Sequence, residues 1–353
     1  MLQKKRNISS IIYIAPGLSS FVRGDISFLS KKYDVLFNTY DWRNKKLVPF
    51  YMLHQIYFML KHRKATKAII ISFGGYWSFF PSLVGRLFKI PVYIILNGAD
   101  CSSIPSINYG DLRIPWLKWI IHQSYKMATL LLPVSASLIK TKNTYLSNGK
   151  ESHQGYKHFF PDIRTRNKII PNGFDVKFWR KTERTKKNPN SFIAVFSNKQ
   201  FVLKGGDLIL GISSKFPTCN FYIAGCEKPS GMEREYHNIH FLGKLNPVEL
   251  RQYYSQCQFH FQLSIFEGFG CALAEAMLCE CIPIVSSVNN LPEIIGDTGF
   301  VHQHKTLDTL DVIIRKALSI QDKDKWGKAA RARIENNYNI AKREKEFITL
   351  IES

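Results

Sequence analysis

Ser264-Ile-Phe-Glu267-Gly-Phe-Gly270-Cys-Ala-Leu-Ala-Glu275-Ala-Met277 follows directly on the apolar run Phe259–Leu263. The run has strand length, the two glycines make a loop, and residues 271–279 carry no helix breaker. Strand, loop and helix are therefore predicted in that order. In open parallel sheets, ligands sit at the carboxyl ends of strands. A helix starting there offers unpaired N–H groups and positive dipole charge, a setting for phosphate. Gly268 and Gly270 let a ligand approach the main chain around Phe269, Cys271 and Ala272. Glu275 lies one turn past Cys271 on the same face, about 6 Å further along the axis. Glu267 precedes the helix and can reach the far side of the anion site. Two carboxylates there are wrong for phosphate and suited to hydroxyls at either end of it.

Outward from this stretch the same grammar repeats. Short, continuous apolar runs stand at Ile11–Ala15, Val35–Asn38, Ala68–Phe73, Val92–Leu96 and Leu130–Val134. Others stand at Phe192–Phe196, Asn220–Ala224, Ile239–Leu242 and Ile282–Val285. Runs without alternation are strands buried on both faces, as in a parallel sheet covered by helices. Helical patterns separate them, among them Pro115–Met127, Pro247–Gln256 and Cys271–Cys279, and Trp326–Leu350 reads as one or two amphipathic helices. The class is α/β. A chain of 353 residues exceeds what one core usually serves, so two domains are expected. Residues 176–190 have linker composition.

Charge divides the chain at the same place. Of 49 Lys+Arg, 31 lie before residue 191, against only 9 of the 27 Asp+Glu, so the whole net charge of +22 belongs to the first half. Nucleic acid is the usual partner of such charge, but no RNA- or DNA-binding motif appears. The basic and aromatic residues concentrate in Trp42–Lys67 and Trp116–Lys126. An apolar helix with basic ends suits anionic lipid headgroups, with Trp42, Phe50, Tyr51 and Trp116 as residues that would insert. The competing reading is a core helix with solvated ends. The seven cysteines are odd in number and scattered, which favours reduced thiols and a cytoplasmic protein. Met1-Leu-Gln-Lys-Lys-Arg6 leads into a run broken by Pro16-Gly17, which predicts a strand and a turn rather than a signal peptide. Ala68–Gly85 is uncharged, but its glycine pair and Pro81 argue for strand, turn and helix rather than a membrane span. No metal-ligand set is apparent, and Asp322-Lys-Asp324 reads as an exposed helix face.

The spacing Glu267-x7-Glu275 resembles the signature of retaining glycosyltransferases of the GT-B fold, family 4 in particular. Further segments are similar in order: Ile11–Gly17 as first strand and glycine loop, Val134-Ser135, Ile170-Pro-Asn-Gly-Phe-Asp175 with Phe178, and Lys204-Gly205-Gly206-Asp207. Phe221–Gly225, Phe241-Leu-Gly243, and Leu291-Pro-Glu293 with Thr298-Gly299 complete the series. The resemblance covers almost the whole chain and implies two Rossmann-like doubly wound domains facing a central cleft. Residues 1–180 would bind the acceptor, 181–335 the nucleotide-sugar, and 336–353 would form a helix packing back on the first domain. It implies that Glu275 binds the donor ribose, that Glu267 serves the donor sugar, and that Lys204 neutralises the leaving diphosphate. Gly17 and residues 268–272 would line the donor site, with no metal and no cofactor beyond the donor, whether UDP- or GDP-linked.

Three positions depart from the pattern. Asn198 stands where an Arg is usual, with Lys199 beside it as a point charge lacking a bidentate fork. Asn97 stands where a His is usual, so that role is lost or falls to Asp100. Glu280 replaces a helix-ending Gly, which predicts a strained or altered helix exit. The expected activity is sugar transfer to a lipid-linked or polysaccharide acceptor, at the inner face of the plasma membrane. The alternatives are a GT-B epimerase or phosphorylase, or a non-catalytic nucleotide-sugar or polyanion-binding protein on the same scaffold, which Asn97 and Asn198 suggest.

Overall fold

The computed structural model describes residues 9–42, 44, 46–146, 152–229 and 236–353. The basic start Lys4-Lys-Arg6, and Arg43 and Lys45 of the Trp42–Lys46 segment, lie outside the described residues. Two compact units each form around a parallel sheet.

The first unit runs up to Thr141 and alternates strand and helix. Its elements are β1 (Ser10–Ile14), α1 (Ser20–Leu29), β2 (Asp34–Asn38), α2 (Val48–His62), β3 (Thr66–Ser72), α3 (Tyr76–Phe88), β4 (Val92–Leu96), α4 (Pro115–Met127) and β5 (Leu130–Pro133). The strand order is β2-β1-β3-β4-β5, all parallel. β1 and β4 are buried along their whole length, which is why they read as unbroken apolar runs. The order reverses between β1 and β3, the switch point where loops diverge and leave a crevice. α2 is no core helix, since only Gln55 and Met59 are buried on it.

Two-residue strands β6 (Thr141–Lys142) and β7 (His153–Gln154) flank an excursion, Lys142–His153, that belongs to the second unit. The chain then returns through α5 (Tyr156–Phe159) and stays with the first unit to Gly173.

The second unit contains β8 (Asn188–Val195), α6 (Gly206–Ser213), β9 (Asn220–Ala224), β10 (Ile239–Gly243), α7 (Pro247–Gln256), β11 (Cys257–Gln262), α8 (Cys271–Leu278), β12 (Ile282–Ser286), α9 (Leu291–Ile295), β13 (Phe300–His302), α10 (Leu307–Leu318) and α11 (Lys323–Tyr338). The order is β10-β9-β8-β11-β12-β13, again parallel, with the switch point between β8 and β11. Phe259 and Phe261 alternate to one face of β11 and both stack on Phe192 at 4.9 Å. That leaves His260 and Gln262 on the other face.

Residues 174–187 are not a free linker. The Phe174 N–H donates to the Tyr338 carbonyl (2.9 Å), and Arg331 donates to the carbonyls of Val176 (3.1 Å) and Trp179 (3.0 Å). The Lys187 ammonium donates to the carbonyls of Tyr254 (2.8 Å) and Cys257 (2.7 Å). These bonds bind the stretch into the second unit, which resumes at Phe174.

The chain ends in α12 (Ile340–Glu352), which belongs to the first unit. Its Arg343 forms a buried two-pronged pair with Asp25 (Nε–Oδ1 2.7 Å, Nη2–Oδ2 2.9 Å). The same guanidinium donates to the carbonyls of Ile170 and Pro171, and the Tyr13 hydroxyl donates to Asp25 (2.9 Å). Lys31–Glu344 (2.9 Å) and Lys32–Glu352 pairs flank it at the surface. All seven cysteines are free thiols, six of them buried. Among the described residues no helix is long and apolar enough to cross a membrane.

Candidate active site

Two loops meet at the switch point of the second sheet. One leaves β8 and carries Lys204 into α6; the other leaves β11 and carries Glu267 into α8. The Ile265 N–H donates to the Leu203 carbonyl (2.8 Å), and Asn143 donates to the Ile265 carbonyl (2.6 Å). Gly205 has φ +78°, and a Cβ there would sit 2.6 Å from Leu263 Cβ, so only glycine lets the loops close together. The result is a direct ion pair between Lys204 and Glu267, whose side chains are only 14% and 13% exposed.

The surroundings of Glu267 fix its orientation. Its Oε2 accepts from Lys204, from Gln262 Nε2 (2.7 Å) and from Ser264 Oγ (3.3 Å), while its N–H donates to Asn289 Oδ1 (3.1 Å). Burial holds His260 down to about 4, so the ring is neutral at pH 7 and its Nε2–H can donate to Gln262 Oε1 (3.3 Å). That bond turns the Gln262 amide so that its NH2 faces Glu267. Glu267 Oε1 and the Asn289 amide nitrogen have no hydrogen-bond partner among the described residues.

Glu275 sits on α8, 8% exposed, and its carboxyl makes no hydrogen bond among the described residues. Burial pushes its pKa up to about 8, so the carboxyl is largely protonated at neutral pH. A buried carboxyl without partners is costly unless something supplies donors. Gly270 caps α8 at φ +97°, Gly268 is buried, and Cys271 and Ala272 are half-buried on the first turn. The Phe269 ring packs against Phe174 (5.8 Å) and Tyr338 (5.2 Å), which leaves only its backbone for a ligand. Glu280, after the helix, has φ +62°, the left-handed exit expected where Gly is usual. Its carboxylate pairs with Lys181 (2.8 Å).

Lys204, Glu267, residues 268–272 and Glu275 thus share one end of one sheet. Other expected residues do different work. Asn198 donates to the Glu227 carbonyl (2.9 Å) and accepts from the Glu227 N–H (3.2 Å), so its amide ties two loops together. Lys199 beside it is exposed. Asp100 belongs to the first unit and is fully buried. It accepts from the N–H groups of Gly74 (2.9 Å), Gly98 (3.0 Å) and Asn97 (3.3 Å) and from the Tyr125 hydroxyl (2.9 Å). Both oxygens are occupied in organising the loop after β4. Asn97 donates to Ser72 Oγ and the Ile95 carbonyl (both 3.4 Å), and its buried Oδ1 is unpartnered. Gly17 follows β1 in open space. Asp322 caps α11 by accepting from the Lys325 N–H (2.9 Å), and no metal-ligand cluster exists among the described residues. Sequence reasoning missed His260, Gln262, Asn289 and Asn143. Gln262, a polar residue one step from the end of an apolar strand, was the available signal.

Residues 177–333 match the family described as glycosyl transferases group 1. Over 95 residues the chain is 35% identical to O-antigen chain mannosyltransferase B of Escherichia coli, covering 27% of this chain and 24% of that protein. The match to a second curated relative spans 54% of its length, so the chain accounts for about half or less of these proteins. The fold is that of GT-B structures. Sucrose-phosphate synthase from Thermosynechococcus elongatus superposes with a TM-score of 0.74 at 14% identity, over 98% of both chains. HepE of Anabaena, solved with UDP, superposes with a TM-score of 0.69 at 13% identity, over 97% of this chain and 99% of that one.

Proposed function

We propose that this chain, whose residues 177–333 form a group 1 glycosyltransferase domain, is a retaining hexosyltransferase of family 4 type that works without a metal. It moves a sugar from a UDP- or GDP-linked donor to a lipid-linked or polysaccharide acceptor. The observation that carries the reading is the Lys204–Glu267 pair at a sheet switch point, beside a helix start and an unpartnered buried Glu275. The diphosphate lies at the amino end of α8, and the ribose hydroxyls supply the donors that Glu275 lacks. Glu267 Oε1 takes a hydroxyl of the donor sugar. The acceptor hydroxyl attacks the anomeric carbon from the leaving-group face and gives its proton to a donor phosphate oxygen as the glycosidic C–O bond breaks. Charge grows on the departing diphosphate, and Lys204 neutralises it. No nucleophile from the chain is required.

The test is a thermal-shift panel of nucleoside diphosphates and nucleotide sugars, followed by donor hydrolysis and transfer assays. UDP, as found in HepE, and mannose-bearing donors come first. Stabilisation plus turnover supports the reading. No response to any nucleotide overturns it, and binding without turnover favours the non-catalytic scaffold that Asn97 and Asn198 suggest.

The finer placement, peripheral on the inner face of the plasma membrane, draws support from α2, α3 and α4. Phe50, Leu53 and Tyr57 form an exposed stripe on α2, and Leu87, Phe88, Trp116 and Trp119 are exposed on the next two helices. Trp42 is corrected from this list: it is 6% exposed, packed against Tyr40, Tyr51 and Trp77. Each Lys or Arg near an anionic leaflet adds about 1 kcal/mol. Sedimentation with anionic vesicles at low salt is expected, fading with salt to an apolar remainder. No sedimentation at low salt refutes the placement.

A further inference from the structure

An inner strand of the second sheet is polar where it should be apolar. β11 pairs with β8 and β12 and is buried along its whole length, a setting in which both faces are normally apolar. One face obeys, with Phe259 and Phe261. The other holds Gln258, His260 and Gln262, which are 3%, 0% and 4% exposed. Burying three polar side chains is costly unless their bonds are made and used.

The end of this file nearest Glu267 is fully bonded. Gln262 Nε2 has two protons and donates both, to Ser264 Oγ (2.9 Å) and to Glu267 Oε2 (2.7 Å). Ser264 is held in turn, because Ser286 Oγ donates to its carbonyl (2.6 Å). The other end of the amide, Gln262 Oε1, lies 3.3 Å from His260 Nε2. An amide is nearly symmetric in shape, so its partners alone choose between this orientation and its flip. Flipped, Gln262 would turn its oxygen on Glu267 Oε2, acceptor against acceptor. The choice therefore passes to His260. With its proton on Nε2 the ring donates to Gln262 Oε1; with its proton on Nδ1 it would offer an acceptor there and favour the flip. Nδ1 is enclosed and has no partner among the described residues, so a proton there would bond to nothing while the Gln262 bond was lost. Two positions earlier on the same face, Gln258 Nε2 is also enclosed and unpartnered, a donor of the kind that Nδ1 accepts from. Burial, helped by the Lys204 charge, pushes the His260 pKa down to about 4, so the neutral ring has a single proton to place.

We infer that His260 and Gln262 are a positioning pair for the candidate active site. The Nε2–H tautomer of His260 fixes the Gln262 amide, which with Ser264 and Lys204 closes Glu267 Oε2 and leaves Oε1 as the oxygen open to a sugar hydroxyl. Both residues are buried and act through Glu267. Their loss is therefore felt at the sugar and not at the nucleotide, whose contacts lie on α8. That Oε1 takes a donor hydroxyl rests on the proposed function; the tautomer and the amide orientation do not.

Two NMR measurements need no ligand. In protein labelled with 15N-histidine, the His260 ring, assigned by its absence from His260→Phe, should show a bare Nδ1 and a protonated Nε2 from pH 5 to 8. The side-chain amide protons of Gln262, assigned through Gln262→Met, should exchange slowly with water, and at least about tenfold faster in His260→Phe. A proton on Nδ1, or Gln262 protons indifferent to His260→Phe, overturns the inference. A third measurement reads the consequence, with UDP-glucose and GDP-mannose as donors and UDP and GDP as bare nucleotides. Hydrolysis of whichever donor the wild type accepts should slow about tenfold in His260→Phe and in Gln262→Met, and no further in the double variant, while the Kd of the bare nucleotide stays within about twofold. His260→Gln, whose amide keeps a donor, should recover most of the rate, which a role in packing alone does not allow. Additive losses, or nucleotide affinity lost along with the rate, refute the pairing. If the wild type neither binds nor hydrolyses any of the four, the proposed function fails and the NMR measurements still decide the tautomer and the amide. If His260→Phe proves misfolded by circular dichroism, His260→Gln and Gln262→Met carry the comparison.

Discussion

Replacing Glu275 by Gln removes an ionisation that the fold opposes. In the folded chain burial raises the Glu275 pKa from an ordinary 4.5 to about 8. The folded state therefore holds the proton more tightly than the unfolded chain. Below pH 4.5 both states are protonated and nothing is lost. Above it the unfolded chain ionises first, and stability falls by about 1.4 kcal/mol per pH unit until the folded group also ionises near pH 8. The ceiling on the whole effect is about 5 kcal/mol, of which about 3 kcal/mol has gone by pH 7. The amide of the variant cannot ionise and escapes this slope. Urea unfolding of both proteins from pH 5 to 8 should show the variant gaining on the wild type as pH rises. A nucleoside diphosphate whose ribose donates to Glu275 stabilises the carboxylate, so binding at pH 7 should release up to about one proton. Calorimetry in buffers of different ionisation enthalpy counts it. Parallel unfolding curves, or binding without proton release, would refute the reasoning.

Lys204→Ala should lower turnover by about 10²-fold while donor affinity changes far less, because the charge it meets grows in the transition state; steady-state kinetics with equal losses in both would argue against that role. Arg343→Met leaves Asp25 charged and buried and should cost about 3–5 kcal/mol in denaturant melts, with Asp25→Leu added to it restoring most of the loss. Glu280→Gly relieves left-handed strain of about 1–2 kcal/mol, partly offset by glycine's entropy and the lost Lys181 pair. A melting temperature higher by a few degrees is expected, and a lower one would mean that the pair outweighs the strain.

Legibility in the sequence followed burial. Strands covered on both faces, such as Val92–Leu96, announce themselves as apolar runs, and Pro247 with its Asn246 cap marks α7 at the residue where it starts. β13 escaped because three residues make too short a run. Glu267 and Glu275 were readable because local spacing along one loop and one helix brings them to the candidate site, whereas Lys204, on the loop after β8, was legible only through the resemblance of Lys204-Gly205-Gly206-Asp207 to a family segment. The network behind Glu267 was not, since Asn143 and Asn289 reach it from loops more than twenty residues away. Asp100 shows the converse. Its type and position were legible, but the four hydrogen bonds by which it holds the loop after β4 are visible only in three dimensions.

The first unit takes its final helix from the far end of the chain, beyond the whole of the second. A ribosome releases residues in order, so Asp25 emerges more than three hundred residues before its partner Arg343. Until then the nascent first unit holds a carboxylate that its own core cannot neutralise. The second unit has its last residue at Asn339, ahead of that helix. The unit that begins the chain is thus the one whose last buried contact is supplied last.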